Sequence, residues 1–385
     1  MNIKFIAYRV FGLIFRLCRV FPVDGNKTFL IATHDDGPEG NIALAASAIK
    51  RKAPGMRFVK YTRKDRMGLI SFFIVKAYHL ATSGIVLLDN EFLPMAYTPF
   101  SKKTTVIQLW HGTGTIKKFG LDAENEKIAK LAKAGNQRID HLIVGGERTK
   151  RQYASAFGIA PDHIRMTGLP RTDLLLDEEY IVRRKKAFLK WMGKKIKDPE
   201  KYRYILYAPT FRDAETSSPG LMIGSDFLDG LADDVILLLR FHPFVADAFS
   251  AEFKKRGDSG RVVDVSHFNG VTTLMSAADI LITDYSSITF EYALLGRPMI
   301  FYAYDLDDFE ANGRDFYEPY EEFVPGPVVR TEGELSELAG RLLSGDEEAF
   351  DRDKTALFIK DNYHKIDGHA SERVAALALK KIRRE

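Results

Sequence analysis

Apolar positions along this chain follow two rhythms. Short runs of β-branched and aliphatic residues, at Lys27 to Thr33, Arg57 to Tyr61, Gly84 to Asp89, Thr104 to Trp110 and His141 to Gly146, alternate with longer stretches of helical spacing. The runs "GIVLLD" and "TTVIQLW" are nearly continuously apolar, as strands read when helices cover both faces of a parallel sheet. A second series is predicted at Ile164 to Thr167, Tyr204 to Ala208, Val235 to Arg240, Arg261 to Val265, Ile280 to Thr283 and Met299 to Tyr302. The fold class is therefore α/β, with two doubly wound halves meeting near Phe157 to Pro170. Rossmann-like domains are expected over 22–157 and 158–350, followed by a helical tail over 351–385 that packs back on the first. The length of 385 residues agrees, because single cores stop growing near roughly 250 to 300 residues.

The first 21 residues break this rhythm. They carry Lys4, Arg9, Arg16 and Arg19 and no acid, interleaved with large apolar residues. At about 100° per residue, Arg9, Arg16, Arg19, Tyr8 and Gly12 gather on one side of a helix, and Ile6, Val10, Leu13, Ile14, Leu17 and Phe21 on the other, with Phe5 and Phe15 out of place. The charges interrupt every window long enough to span a bilayer, and no small-residue cleavage site follows. An amphipathic leader lying on an anionic membrane surface is expected, with packing on protein as the alternative.

Composition narrows the function. The net charge of +4 and the absence of any recognition-helix, zinc-finger or RNA-binding signature argue against nucleic acid. The single cysteine, Cys18, can form neither an internal disulfide nor a zinc site of several thiolates, which fits a cytosolic setting. Monomer and homo-oligomer both remain open.

Parallel α/β sheets bind ligands at the carboxyl ends of their strands, so the residues following each run are the candidates. "QLWHGTGTIKKFG" places His111, Gly112, Gly114, Lys117 and Lys118 there: a histidine whose ordinary pKa suits a general base, glycines that admit a ligand to the backbone, and lysines for phosphate near a helix start. "VILLLRFHPF" repeats the pattern with His242, where Pro243 fixes the backbone just beyond. In "DILITDYSSITFEYALLGRPMIFYAYD", Asp284, Ser286 and Ser287 stand where a strand gives way to a helix, an arrangement suited to an anion, and Glu291 one turn on is placed for a ribose or base. "ILYAPTFRD" adds Thr210 and the Arg212 fork, suited to a diphosphate. Weaker signals are Arg171 in "TGLPRTDLL", His34, Asp35 and Asp36 in "ATHDDGPEGN", and Arg63, Lys64 and Asp65 in "KYTRKDRMG". The structural alternatives are a backbone-bonded histidine, a strand-ending His-Pro turn, N-capping by the serines and a surface pair of Arg212 with Asp213.

In this order, "WHGTGTIKK", "APTFRD", "RFHP" and "TDYSSITFEYALLGRPMIFY" resemble the CDP-glycerol glycerophosphotransferase family of teichoic acid biosynthesis, over roughly residues 25 to 380. The resemblance implies a GT-B fold, two Rossmann-like domains with a cleft between them, with the acceptor mostly on the first domain and CDP-glycerol on the second. It assigns the family's motif histidines to His111 and His242 and its phosphate-binding serines to Ser286 and Ser287. The chain's length and basic leader look more like the primase branch, which adds the first glycerol phosphate to an undecaprenyl-diphosphate-linked ManNAc-GlcNAc disaccharide at the cytoplasmic face of the membrane. A polymerase, a CDP-ribitol-using relative and a GT-B UDP-sugar glycosyltransferase are the alternatives.

The implied reaction is attack of an acceptor hydroxyl on the β-phosphorus of CDP-glycerol, with CMP leaving. Catalytic candidates are His111, His242 and Asp65, with the base left open among His111, Asp65 and Asp35. Substrate-binding candidates are Gly112, Lys117, Thr210, Arg212, Asp284, Ser286, Ser287, Glu291 and Asp35. No cofactor beyond the donor is expected. No metal is expected either, because the nucleotide half shows no paired-aspartate motif and helix ends with cationic side chains can take its place.

Overall fold

The structure, a computed structural model, describes residues 3–62, 65, 71–123, 126–210, 212, 223, 226–242, 245–256, 260–311 and 315–382. Arg63, Lys64, Asp213 and Pro243, singled out above, lie outside the described residues. Two compact units result: Met1–Gly114, Lys118–Leu174 and Asp361–Glu385 form the first, and Thr115–Lys117 and Leu175–Lys360 the second.

In the first unit, strands β1 (Asp24–Ala32), β2 (Arg57–Thr62), β3 (Ser83–Leu88), β4 (Thr105–Gln108), β5 (His141–Ile143) and β6 (Ile164–Arg165) form a parallel sheet in the order β2-β1-β3-β4-β5-β6. Helices α1 (Ile3–Cys18), α2 (Asn41–Lys52), α3 (Ala77–Ala81), α4 (Glu126–Asn136) and α5 (Glu147–Phe157) accompany it. Successive side chains of a strand point to opposite faces, and here both faces are apolar. Phe29, Ile31, Val86, Leu88 and Val106 pack with residues of α1, α3 and α5. Leu30, Ala32, Ile85, Leu87 and Ile107 pack on the other face with Ile42, Ala45 and Ile49 of α2.

The second unit repeats the plan. Strands β7 (Arg203–Tyr207), β8 (Val235–Leu239), β9 (Val262–Asp264), β10 (Ile280–Thr283), β11 (Met299–Tyr302) and β12 (Val328–Val329) are parallel in the order β12-β11-β10-β7-β8-β9. Its helices are α6 (Glu178–Met192), α7 (Asp226–Asp229), α8 (Ala246–Arg256), α9 (Val271–Ala277), α10 (Ile288–Ala293), α11 (Leu306–Ala311), α12 (Tyr320–Phe323) and α13 (Glu332–Leu343). Then come α14 (Arg352–Asn362) and α15 (Ala370–Leu379). The return to the first unit begins at Asp361, inside α14, rather than at 351, and α15 buries Val374, Ala375, Ala378 and Leu379 in the core beneath α2.

Three expectations change. Ile164–Arg165, read as opening the second series, pairs with β5 and closes the first sheet, so the first unit runs on to Leu174 and not to 157. The two-residue β12 was too short to register as a strand in the sequence. The leader, read as a separate element with Gly12 on its polar side, instead packs through that side. Phe11 and Phe15 are 0% exposed, among Phe72, Phe92 and Phe100, and a Cβ on Gly12 would collide with Tyr97. The predicted apolar stripe faces outward: Leu13 is 60% and Leu17 64% exposed, with Ile6 and Val10 also exposed. No described helix is long and apolar enough to cross a membrane.

The two faces of α1 should therefore respond differently to substitution. Phe15→Ala should cost about 3 to 5 kcal/mol in urea unfolding, the usual loss for a buried phenylalanine, whereas Leu13→Ser with Leu17→Ser should change stability by less than about 1 kcal/mol. Equal losses on the two faces would contradict the packing.

Candidate functional site

Each unit places chemistry where its strand order reverses, between β1 and β3 and between β7 and β10, the positions at which doubly wound sheets open a crevice. In the first unit the residue following β3 is Asp89, which is buried. Its Oδ1 accepts backbone N–H groups of Thr33 at 2.8 Å and His34 at 3.1 Å, and its Oδ2 those of His34 at 3.1 Å and Asp35 at 2.9 Å. Burial raises the Asp89 carboxyl above its ordinary range, and the bonds from these three amides offset that only in part. The loop after β1 is thus tied to the end of β3.

Asp89 also holds the end of β4. Nδ1 of His111 lies 3.1 Å from the Asp89 carbonyl oxygen. A carbonyl only accepts, so Nδ1 carries a proton, and in the neutral form of the ring the lone pair is on Nε2. The strand stops at Gln108, short of the expected Trp110, because Gln108 Oε1 accepts the Trp110 N–H at 2.9 Å and Trp110 turns to φ +56°, a left-handed conformation uncommon for a bulky residue. Asn41 at the start of α2 donates to the Trp110 carbonyl at 3.1 Å and accepts the Arg171 N–H at 3.0 Å. Arg171 Nη1 donates to the His111 carbonyl at 3.2 Å, and its Nη2 lies 3.5 Å from Asp35 Oδ2. Tyr153 donates to the Gly112 carbonyl at 2.9 Å, and a Cβ on Gly112 would stand 3.1 Å from the Gly114 carbonyl oxygen, so the turn is tight.

The structure therefore joins His111, Gly112 and Asp35 in one network. Asp65 sits beyond the end of β2, where its carboxylate accepts the Thr62 N–H at 2.9 Å and lies 3.7 Å from Lys76 Nζ. Lys117 departs from expectation. Only a single 3-10 turn, Gly120–Asp122, follows it; Lys117 bridges to Phe316, its ammonium stands over the Phe309 ring, and it belongs to the second unit.

In the second unit the residue after β10, Asp284, is buried and plays a part like that of Asp89: its Oδ1 accepts the Thr210 N–H at 2.8 Å, tying the end of β7 to the end of β10. Its Oδ2 is 3.0 Å from Arg212. The Arg212 fork, expected to hold a diphosphate, is instead bonded to Asp305 through Nε at 2.7 Å and Nη2 at 2.8 Å, with the rings of Tyr285 and Phe309 beneath it. Burial works against the Arg212 charge, but Asp305 and Asp284 outweigh it and keep the guanidinium protonated. Arg212 thereby balances two carboxylates and positions the Thr210 turn.

Ser286 and Ser287 precede α10. Ser287 is exposed and its side chain makes no capping bond, while Ser286 Oγ accepts the Ile288 N–H only at 3.4 Å, so N-capping accounts poorly for the pair. Glu291 is buried rather than solvated. His242 follows β8, and its carbonyl starts the next helical turn by accepting the N–H groups of Val245 and Ala246 at 3.0 Å. Arg240 steadies this strand end, donating to the carbonyls of Val265 and Ser266 at 3.1 Å and of Phe268 at 2.7 Å.

Sequence reasoning passed over Asp89, Asn41, Tyr153 and Asp305. A signal existed for two of them: Asp89 and Asp305 each end an apolar run, "GIVLLD" and "IFYAYD". Asn41 and Tyr153 matter only through contacts distant in sequence, which no local pattern reveals.

Residues 13–380 match the CDP-glycerol:poly(glycerophosphate) glycerophosphotransferase family. The teichoic acid poly(ribitol-phosphate) polymerase of Bacillus spizizenii is 32% identical over 95% of this chain, and the matched region spans 58% of that protein's length. The teichoic acid ribitol-phosphate primase of the same organism is 32% identical over 96% of this chain and 95% of its own. The teichoic acid glycerol-phosphate primase of Bacillus subtilis is 31% identical over 73% of this chain and 70% of its own. Among solved structures, the wall teichoic acid polymerase TagF superposes with a TM-score of 0.80 at 24% identity, over 99% of this chain and 96% of that one, so the fold is shared.

Replacing Asp89 tests the network directly. Asp89→Asn sets an amide against three backbone donors and should cost about 3 kcal/mol in urea unfolding, roughly the loss for one or two buried donors left unmatched. A change under about 0.5 kcal/mol would show that the loop after β1 does not depend on this carboxylate.

Proposed function

The chain belongs to the CDP-glycerol:poly(glycerophosphate) glycerophosphotransferase family, and on that premise we propose that this enzyme transfers glycerol phosphate from CDP-glycerol to an undecaprenyl-diphosphate-linked ManNAc-GlcNAc disaccharide, releasing CMP. The observation that carries the reading is the His111 imidazole, whose Nδ1 is bonded to the Asp89 carbonyl beside a strand-order reversal, which puts the lone pair of the neutral ring on Nε2. In the proposed step an acceptor hydroxyl attacks the β-phosphorus, its proton passes to His111 Nε2, the bond between the β-phosphorus and the bridging oxygen breaks, and CMP departs with that oxygen. His111 is preferred to Asp35 and Asp65 because Asp35 is engaged with Arg171 and the Gly37 N–H, and Asp65 with Thr62 and Lys76.

The donor is assigned to the second unit. Ser286, Ser287, the first amides of α10 and His242 would hold the phosphates, Thr210 and Asp284 would shape the turn beside them, and Glu291 would face the ribose or base. In the family's GT-B arrangement the acceptor lies on the first unit, near His111 and Gly112, and Lys117, in the second unit, would add positive charge for the donor. A second reading, ribitol phosphate from CDP-ribitol, is favoured by the ribitol-named relatives, which match 95% and 96% of the chain against 73% for the glycerol primase. Incubation with each CDP-alditol and a lipid-linked disaccharide, followed by product mass, separates the two; absence of a phosphodiester product from either would overturn both.

His111→Ala and His242→Ala should each lower turnover by at least about a hundredfold without unfolding the protein, the low end for a lost proton acceptor or charge-stabilising group. Near-normal turnover in either variant would remove that histidine from the mechanism.

The same reading sets the enzyme against an anionic membrane surface. The outward stripe of α1 leads to Phe21, whose ring packs on that of exposed Tyr78, and exposed Arg9 and Arg16 border it at helical spacing. Because Phe11 and Phe15 anchor α1 in the core, point changes test this better than deletion. Arg9→Glu with Arg16→Glu should weaken binding to phosphatidylserine-containing vesicles by at least about tenfold, since each basic residue near such a surface contributes about 1 kcal/mol. Unchanged co-sedimentation would place the membrane contact elsewhere.

A further inference from the structure

A second histidine stands against the first. The rings of His34 and His111 are stacked with centroids 3.8 Å apart and planes 10° from parallel. On the other side of His111 the Trp110 ring lies at 4.1 Å and 31°. Two rings cannot share one imidazole face at these separations, so His111 is held between an indole and an imidazole.

His34 is exposed, and burial in the core therefore does not explain its placement. Its backbone is held by Asp89, whose two carboxylate oxygens both accept the His34 N–H at 3.1 Å while its carbonyl accepts from His111 Nδ1. One residue thus fixes the backbone of one histidine and the ring of the other. Swinging about the Nδ1 bond would turn Nε2 out of line; a flat ring stacked on the face of the imidazole opposes that motion.

We infer that His34 is a positioning residue for the transfer, acting through the face of its ring to hold His111 Nε2 in line with the acceptor hydroxyl. The inference rests on the reading of His111 as proton acceptor. Its requirement is for a flat ring rather than for a titrating group, which distinguishes it from a second acid or base.

The test compares His34→Ala with His34→Phe, the phenyl ring being accommodated because the position is exposed. With whichever of CDP-glycerol and CDP-ribitol is turned over, His34→Ala should lower kcat about tenfold to a hundredfold and leave the donor KM within about twofold, the pattern of lost alignment. His34→Phe should restore most of kcat. Carbon-13 relaxation spectra of the His111 ring in the full-length protein read the stack without turnover: a ring as rigid as the backbone in the parent and in His34→Phe, and a mobile ring in His34→Ala. Normal kcat and an unchanged spectrum in His34→Ala would overturn the inference, as would a His34→Phe variant as slow as His34→Ala. If His111→Ala turns over normally, the proton-acceptor reading alone fails, and the His34→Ala spectrum still decides whether the stack orients the ring.

Discussion

Two buried aspartates hold the ends of strands together where each sheet reverses its order. At such a reversal neighbouring strands send their chains to opposite faces, so no helix start or shared loop closes the gap. A carboxylate buried there is costly unless its oxygens find donors, and backbone N–H groups of the loop opposite are the donors within reach. Asp89 gathers those of Thr33, His34 and Asp35, and Asp284 that of Thr210. The cost of burying the charge is what makes each loop conformation specific, since a loop arranged otherwise would leave the carboxylate without its bonds.

From this shared device the two units diverge. The first sets its aspartate against the backbone of the loop after β1 and the His111 ring, while its cation, Arg171, reaches the His111 carbonyl and Asp35 and not the aspartate. The second sets a cation beside its aspartate and balances that cation again with Asp305, while Tyr285 donates to Asp305 at 3.0 Å and Tyr320 to the Asp284 carbonyl at 3.0 Å. Burial, with Asp305 and Asp284 nearby, keeps the Tyr285 phenol protonated and able to donate. On the proposed reading a proton acceptor and a rigid, internally balanced phosphate platform are different requirements, and the two surroundings suit them in that order.

Much of the architecture was legible from periodicity, because strands buried on both faces print as apolar runs whatever their neighbours are. The strand ends were legible for the same reason, which is why His111, His242, Asp284 and the serines could be named. Partnerships were not. That Arg212 would bond Asp305 depends on β11 lying two strands from β7, and that Phe11 and Phe15 would face the core depends on Phe72, Phe92 and Phe100, far along the chain. The leader is the clearest case. Its helix has apolar residues on two faces, and local pattern alone could not say which face the protein would take.

The central claim is a single displacement at phosphorus, with His111 as proton acceptor and no covalent intermediate on the enzyme. One measurement bears on it most directly. CDP-glycerol, or CDP-ribitol if that is the donor used, can be prepared as a single diastereomer with sulfur in place of one non-bridging oxygen on the β-phosphorus, and the phosphodiester product can then be assigned by phosphorus NMR. One in-line attack inverts the configuration, and inversion is the predicted result. Retention would require two displacements through a phosphorylated side chain, and would contradict the role given to His111.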